Sequence, residues 1–279
     1  MHEFLIILAV IWTAIASYSD LKKREIPNWL SFSFVAFALA YRAMYSAFNY
    51  DLMFFVFGLL GFMVFFGLAY LFYYGRLFAG GDAKLLFGFG AVLPAGYSIY
   101  SNLLMMWLFI FLLLLAGGLY GLIYSSVLAV MNRKKFIKEF AVQLQLRKKL
   151  SIVSAITAFF ALIMVLLLSY PILIVIPAVI LVFPILFAYG KAVEESCMIA
   201  SVDGKKVTVG DWLYEAVTIK GRKIKPHWEG LDEKQVELIR KSGKKVRIKQ
   251  GVPFVPSFLI AFILLLILKN NIINYFSAL

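Results

Sequence analysis

The stretch LMFFVFGLLGFMVFFGLAYLFYY, from Leu52 to Tyr74, carries no charged residue. At about 1.5 Å of rise per residue, a helix of this length crosses the roughly 30 Å hydrocarbon core of a bilayer. Similar runs recur along the chain, in which 63% of the 279 residues are hydrophobic and the mean hydropathy is +0.89. A soluble domain of this size cannot hide that much apolar surface. The sequence therefore predicts an α-helical polytopic membrane protein.

About eight transmembrane helices are predicted from these runs. They cover Phe4–Tyr18, Trp29–Phe48, Leu52–Tyr74, Lys84–Tyr100, Leu103–Met131, Leu150–Ser169, Ile172–Gly190 and Pro253–Leu268. Tyr170-Pro171 interrupts a long, nearly uncharged stretch, because proline cannot continue the helical hydrogen-bond ladder. We expect a tight hairpin there, since a single helix of that length would be about twice as long as the membrane is thick.

The distribution of positive charge predicts the orientation of the chain. All but two of the 28 lysines and arginines fall in four segments, and the exceptions are Arg42 and Lys269. With eight spans these four segments share one face only if the N-terminus is outside, and lysine and arginine favour the cytoplasmic face. The net charge of +13 then reflects the cytoplasmic loops and indicates contact with anionic lipid headgroups, at Arg133 to Lys135 above all. Nucleic acid is not a predicted partner.

One segment has the composition of a small soluble unit. Met198 to Gly251 predicts an α+β fold with a hairpin turn at Asp203-Gly204, joining strands at residues 199–202 and 207–209. A helix is predicted after Asp232 as N-cap, ending before Gly243, and residues 245–249 alternate as a strand. The predicted divisions are a transmembrane catalytic region at 1–190, a cytoplasmic α+β unit at 191–251, and a final helix with its tail at 252–279.

Few side chains of this chain could carry out catalysis. The single cysteine, Cys197, excludes an intrachain disulfide and a CxxC zinc site. The two histidines, His2 and His227, lie neither near a candidate serine nucleophile nor in an HExxH pattern. Serine–histidine and zinc hydrolysis are therefore disfavoured, and no metal or cofactor is predicted.

Two acidic residues are distinctive in position. Asp20 closes the first span, where Thr13, Ser17 and Asp20 share one helix face and predict a polar stripe turned toward protein or water. Asp82 opens the fourth span directly after Gly80-Gly81, which permit close backbone approach. By the charge count, both lie at the cytoplasmic face. A merely solvated or capping role stays open for Asp20, whereas the cost of an aspartate in a membrane span favours a functional role for Asp82.

A pair of carboxylates can hydrolyse a peptide bond without a metal. Two acids that share one site hold a single proton between them, because both cannot ionise comfortably. One member can then accept a proton from the attacking water while the other donates to the scissile carbonyl oxygen.

Four motifs in order resemble one family. They are SDLK from Ser19, IPN from Ile26, AGGDAKLL from Ala79 and GVPFVP from Gly251. Together they are similar to archaeal prepilin and preflagellin (archaellin) peptidases, which are relatives of bacterial type IV prepilin peptidases in the GxGD class of aspartyl proteases. The resemblance implies that Asp20 and Asp82 are the catalytic pair. By the same resemblance, the supporting motif residues are Pro27, Asn28, Gly80, Gly81 and Lys84.

The resemblance also implies a substrate and a location. The family removes short basic leaders, or class III signal peptides, from pilin-like or archaellin precursors at the cytoplasmic side of the cell membrane. Ala79 replaces the first glycine of the family motif. The cysteine-rich zinc insertion of the bacterial relatives is missing, so their N-methyltransferase activity is not implied. The spans between residues 150 and 190 look like a hairpin added to a six-helix family core.

A small secondary transporter is the alternative. Asp20 and Asp82 would then bind protons or cations beside a helix broken at Gly80-Gly81. Transport sites lie near the bilayer midplane, whereas both acids are predicted at span ends, which favours the peptidase.

Overall fold

The computed structural model describes residues 2–94, 96, 98–168, 170–219 and 221–277. By its internal contacts the chain forms two compact units, one from Met1–Leu122 with Pro253–Leu279 and the other from Ile123–Val252. This division groups the predicted added hairpin with the strands, whereas the sequence grouped residues 1–190 together. The sequence-based domain limits stay a prediction.

The first unit is built from helices. They are α1 (Glu3–Lys23), α2 (Asn28–Asn49), α3 (Leu52–Tyr74), α4 (Gly80–Val92), the first part of α5 (Ile99–Met131) and the last helix, α10 (Pro256–Ser277). Their buried side chains form one apolar core, rich in phenylalanine.

Most of the predicted spans are long enough to cross a bilayer. Within the described residues, six helices are long and apolar enough by length and composition: Glu3–Lys23, Asn28–Asn49, Leu52–Tyr74, Ile99–Met131, Lys148–Leu168 and Ile172–Cys197. The fourth predicted span corresponds to α4, which has 13 residues. In α10, the part with described side chains counts as a shorter apolar helix, Pro256–Leu268. The prediction of a polytopic helical membrane protein is confirmed.

The fourth predicted span, Lys84–Tyr100, was wrong in its limits. α4 starts earlier, at Gly80, and ends at Val92, because Pro94 has no N–H with which to continue the ladder. Its 13 residues extend about 20 Å, less than the hydrocarbon thickness. All side chains from Leu85 to Val92 are buried, and α2 and α3 pack against the helix. α4 is therefore surrounded by protein rather than lipid.

α3 and α4 approach each other most closely at Gly61 and Gly90. A Cβ atom at Gly90 would lie 2.5 Å from the carbonyl oxygen of Gly61, and one at Gly61 would clash with the carbonyl oxygen of Gly90. Small residues let helix backbones approach in this way inside membranes, where close packing replaces the hydrophobic driving force.

The C-terminal end of α4 is closed by Arg42 of α2, whose side chain has no accessible surface. Its guanidinium donates to four carbonyl oxygens: Nε to Ala91 at 2.6 Å, Nη1 to Phe54 at 2.7 Å, and Nη2 to Val92 at 3.1 Å and to Pro94. It also lies 4.4 Å from the centre of the Phe54 ring, and the missing side chain of Gly58 leaves room for its stem. The guanidinium thus caps α4 and complements the negative end of the helix dipole.

The second unit begins with the end of α5 and continues with three further helices. They are α6 (Arg133–Leu146), α7 (Lys148–Leu168) and α8 (Val175–Cys197), with a short 3₁₀ turn at Pro171–Ile174. The basic segment from Asn132 to Lys149, expected as a cytoplasmic loop, is mostly the helix α6. α7 and α8 pack side by side, so the predicted hairpin is confirmed. Ser169, the predicted end of one span, and the side chain of Lys269 lie outside the described residues.

The strands of the second unit pair differently from the prediction. They are β1 (Ile199–Val202), β2 (Trp212–Leu213), β3 (Val217–Ile219), β4 (Arg222–Ile224) and β5 (Val246–Lys249). The predicted hairpin at Asp203-Gly204 was wrong, because β1 and β2 both pair antiparallel with β5 and the turn leads into a short 3₁₀ helix. β5 offers a long-range partner whose Val246 and Ile248 face the core, and that pairing is preferred to the local one.

The predicted helix of this unit is confirmed. α9 (Glu233–Ser242) has Asp232 as N-cap, and the Asp232 carboxylate accepts from the Gln235 N–H at 2.7 Å. Gly243 ends it with a positive φ of 61°, the left-handed conformation that favours glycine.

We expect Gly61→Ala to destabilise the first unit, because its Cβ would clash with the α4 backbone and force the helices apart. Strain of this kind in a close-packed interior costs about 1–3 kcal/mol. The matched control is Gly67→Ala on the same helix, where no atom lies within 4 Å of the new Cβ. Thermal unfolding in detergent, followed by circular dichroism, measures the difference. Equal midpoints for the two variants would contradict the proposed packing.

Arg42→Met should lower the free energy of unfolding by roughly 3 kcal/mol or more, because each buried acceptor left without a donor costs about 1–3 kcal/mol. Arg42→Lys should be intermediate, since an ammonium cannot reproduce the planar fork of donors. Exposed Lys23 provides the control variant Lys23→Met. The same thermal measurement applies, and an Arg42→Met variant as stable as this control would rule out the capping role.

Candidate active site

Asp20 lies on the buried side of α1. Thr13, Ser17 and Asp20 are all buried, and Asp20 keeps 7% of its surface accessible, so the predicted polar stripe does point into protein. The two hydroxyls donate to their own helix, Thr13 to Ala9 O at 2.6 Å and Ser17 to Thr13 O at 2.7 Å. Both hydroxyl groups therefore donate to backbone carbonyl oxygens and not to the Asp20 carboxylate.

The Asp20 carboxylate receives a hydrogen bond from a distant part of the chain. The backbone N–H of Val255 donates to Asp20 Oδ2 at 2.9 Å. Val255 directly precedes α10 and lies within the GVPFVP motif. The bond therefore joins the first helix of the unit to the start of the last one.

Asp82 lies in the first turn of α4, with 8% of its surface accessible. The Ala79 N–H donates to its Oδ2 at a longer distance, 3.3 Å. An anion at this position complements the positive end of the helix dipole. The alanine that replaces the first motif glycine thus supplies a backbone donor, and its methyl group leaves this contact intact.

The structure brings the two aspartates together. α1 packs on α4, and the carboxylates lie near enough to interact electrostatically. Both are largely removed from water, so a negative charge on one makes ionisation of the other costly. Such a pair can hold one proton and exchange it with a bound water or a carbonyl oxygen.

The supporting motif residues lie on the segments around the pair. Pro27 precedes the first residue of α2, Asn28, and the Lys84 Nζ donates to Asn28 Oδ1 at 2.8 Å. A Cβ on Gly81 would lie 3.2 Å from the Ile26 side chain, so the second motif glycine allows the IPN segment to lie close to the start of α4. The IPN and AGGDAKLL motifs therefore meet beside the aspartates.

Two features of the site were not predicted from the sequence. The GVPFVP motif was recognised only as part of a resemblance, and its bond to Asp20 has no local signal because 235 positions separate the two residues. The hydrogen bond from Lys84 to Asn28 likewise joins residues that are 56 positions apart. Among the described residues, no three His, Cys, Asp or Glu side chains lie together as a metal site would require.

Comparison with known proteins matches part of the chain to one family. Residues 7–130 match the sequence model of the type IV leader peptidase family. This segment runs from α1 to near the end of α5 and contains both aspartates. The predicted resemblance to prepilin and preflagellin peptidases is confirmed.

A preflagellin peptidase from Methanocaldococcus jannaschii is 38% identical over 88 residues, which cover 32% of this chain and 37% of the relative. The chain thus matches little more than a third of that relative's length. No solved structure matches the chain. These matches favour a peptidase over the transporter alternative.

Crosslinking tests the proximity of the two carboxylates. In a Cys197→Ser background, which removes the only cysteine, Asp20→Cys with Asp82→Cys should react rapidly with a short bifunctional thiol reagent. The control pair is Tyr18→Cys with Asp82→Cys, because Tyr18 lies on the exposed face of α1. A protease site inserted after exposed Tyr50 separates the two halves on a denaturing gel. Equal crosslinking of both pairs would contradict the geometry.

Proposed function

We propose that this chain is a membrane-embedded aspartic endopeptidase with Asp20 and Asp82 as its catalytic residues. It removes the short basic leader, or class III signal peptide, from pilin-like or archaellin precursors. The observation that carries the proposal is the juxtaposition of two buried carboxylates from α1 and α4. Their position within a segment that matches the type IV leader peptidase family supports it.

The chemistry follows from a shared proton. The ionised carboxylate accepts a proton from water, whose oxygen attacks the scissile carbonyl carbon, while the protonated carboxyl donates to the carbonyl oxygen. The tetrahedral intermediate then collapses as the leaving nitrogen is protonated. The supporting residues Pro27, Asn28, Gly80, Gly81 and Lys84 shape the segments around the pair, and the reaction uses no cofactor.

The proposed location is the cell membrane, with the N-terminus outside and the catalytic face toward the cytoplasm. The asymmetry of the basic residues supports this orientation. Anionic headgroups are the second proposed partner, because α6 exposes Arg133, Lys134 and Lys135 and such clusters are attracted to negative lipid surfaces. The name of the Methanocaldococcus relative, preflagellin peptidase, supports an archaellin-like precursor as substrate.

Asp20→Asn and Asp82→Asn should each reduce leader cleavage by at least about 1000-fold, because neither variant can hold the shared proton correctly. The assay is the mobility shift of a precursor with a class III leader in proteoliposomes. Both variants should insert and accumulate normally.

Asp51→Asn is the matched control. Asp51 is the N-cap of α3, where its side chain accepts from the Phe54 N–H, and asparagine caps a helix equally well. Cleavage should therefore persist in this variant. Full cleavage by Asp20→Asn or by Asp82→Asn would remove that residue from the mechanism. Loss of cation uptake with cleavage unchanged would support a transporter instead.

A further inference from the structure

The segment Pro253–Phe258 contacts the parts of the chain that hold both aspartates. On one side the Val255 N–H donates a hydrogen bond to Asp20 at 2.9 Å. On the other side, Phe254 and Phe258 pack on Phe78, with ring centres 5.3 and 5.9 Å apart. Phe78 directly precedes the Ala79-Gly80-Gly81-Asp82 motif.

This segment is fixed by its own sequence and by packing. Pro253 and Pro256 restrict the backbone on either side of Val255, and the Val255 and Phe258 side chains have no accessible surface. A Cβ at Gly117 of α5 would clash with the Phe254 ring. The Phe254 ring therefore packs directly on the backbone of α5 at this glycine. The Val255 N–H is therefore held in one direction before substrate arrives.

A backbone N–H can only donate, and donation to a carboxylate favours the ionised form. Asp20 accepts such a bond from Val255 at 2.9 Å. Asp82 accepts one from Ala79, at the longer distance of 3.3 Å. The two members of the pair are thus unequal, and the negative charge is better stabilised on Asp20.

The other charges around Asp20 support the same assignment. The positive charge of Arg24 favours ionisation of Asp20, whereas a negative charge on Asp82 opposes it. α2 contributes Arg42, which lies at the opposite end of α4, and α4 contributes Lys84, which bonds to Asn28. The described side chains of α10 include no charged group. Among these described groups, Asp82 alone opposes ionisation of Asp20.

We propose that Pro253–Phe258 is a positioning segment of the active site, and that its Val255 N–H fixes Asp20 as the ionised general base while Asp82 carries the proton. This rests on the proposed peptidase function. Asp20 takes a proton from water as the carbon–oxygen bond forms, and Asp82 gives its proton to the carbonyl oxygen. On collapse, the carbon–nitrogen bond breaks, Asp20 passes its proton to the nitrogen, and Asp82 recovers one from the intermediate's hydroxyl.

The decisive experiment removes one hydrogen-bond donor. Replacing Val255 by its α-hydroxy analogue through nonsense suppression turns the amide into an ester and deletes only the N–H. The acidic limb of the kcat/KM profile for leader cleavage should move up by about one pH unit, because a hydrogen bond to a charged group is lost. KM should change little. Val255→Ala, which keeps the N–H, should leave the limb in place.

The matched control is the same ester at Ile260 of α10, which removes one helical N–H away from the pair. Its pH profile should match the unmodified chain. A Val255 ester with an unmoved acidic limb, whatever its rate, would overturn the proposal, since a purely structural defect lowers the rate equally at every pH.

A second measurement does not depend on the ester variant folding. The carboxyl band of Asp82→Asn minus that of the double variant Asp20→Asn/Asp82→Asn reports Asp20, because the other carboxyl groups cancel in the difference spectrum. The band of Asp20→Asn minus that of the same double variant reports Asp82. Asp20 should ionise at the lower pH, and the reverse order would overturn the assignment. Full cleavage by these same two variants would instead refute the proposed function, so the two failures are distinguishable.

Discussion

The first unit depends on the way in which Arg42 closes the C-terminal end of α4. A helix buried on every side has terminal carbonyls that no water can reach, and leaving them unpaired is costly. The fixed fork of one guanidinium satisfies several of them together and places a cation at the negative end of the dipole. Asp82 occupies the positive end. The short helix thus has a guanidinium at one end and the Asp82 carboxyl group at the other. Fixing the C-terminal end of the helix also helps to fix the position of Asp82 in its first turn.

Much of this arrangement could be predicted from the sequence, because helices in a membrane leave long uncharged runs. The spans around Leu52–Tyr74 and the hairpin at Tyr170-Pro171 follow from length and from proline chemistry. The limits of α4 did not follow, since hydropathy cannot distinguish a helix buried in protein from one that faces lipid. From the sequence, Arg42 is only an exception to the distribution of positive charge. Its partners are backbone carbonyls, and these carry no residue-specific signal.

The same distinction separates local from long-range features elsewhere. The capping of α9 by Asp232 and Gly243 was predicted because each partner lies within a few residues. The pairing of β1 with β5 was missed because the strands are far apart in the chain, and the local Asp-Gly turn was the stronger signal. The hydrogen bond from Val255 to Asp20 is the extreme case. It spans nearly the whole chain, so only folding itself reveals that the last helix completes the site of the first.

The burial of α4 has a consequence for how the protein meets different membranes. Bilayers differ in thickness by a few ångströms, and a lipid-facing helix adapts by tilting or by deforming the lipid around it. From Leu85 to Val92, α4 has no exposed side chain on which lipid could act. Hydrophobic mismatch therefore reaches Asp82 only through the helices packed around α4. Because α4 contacts the surrounding helices rather than lipid, the position of its carboxyl group along the membrane normal should change little with lipid composition.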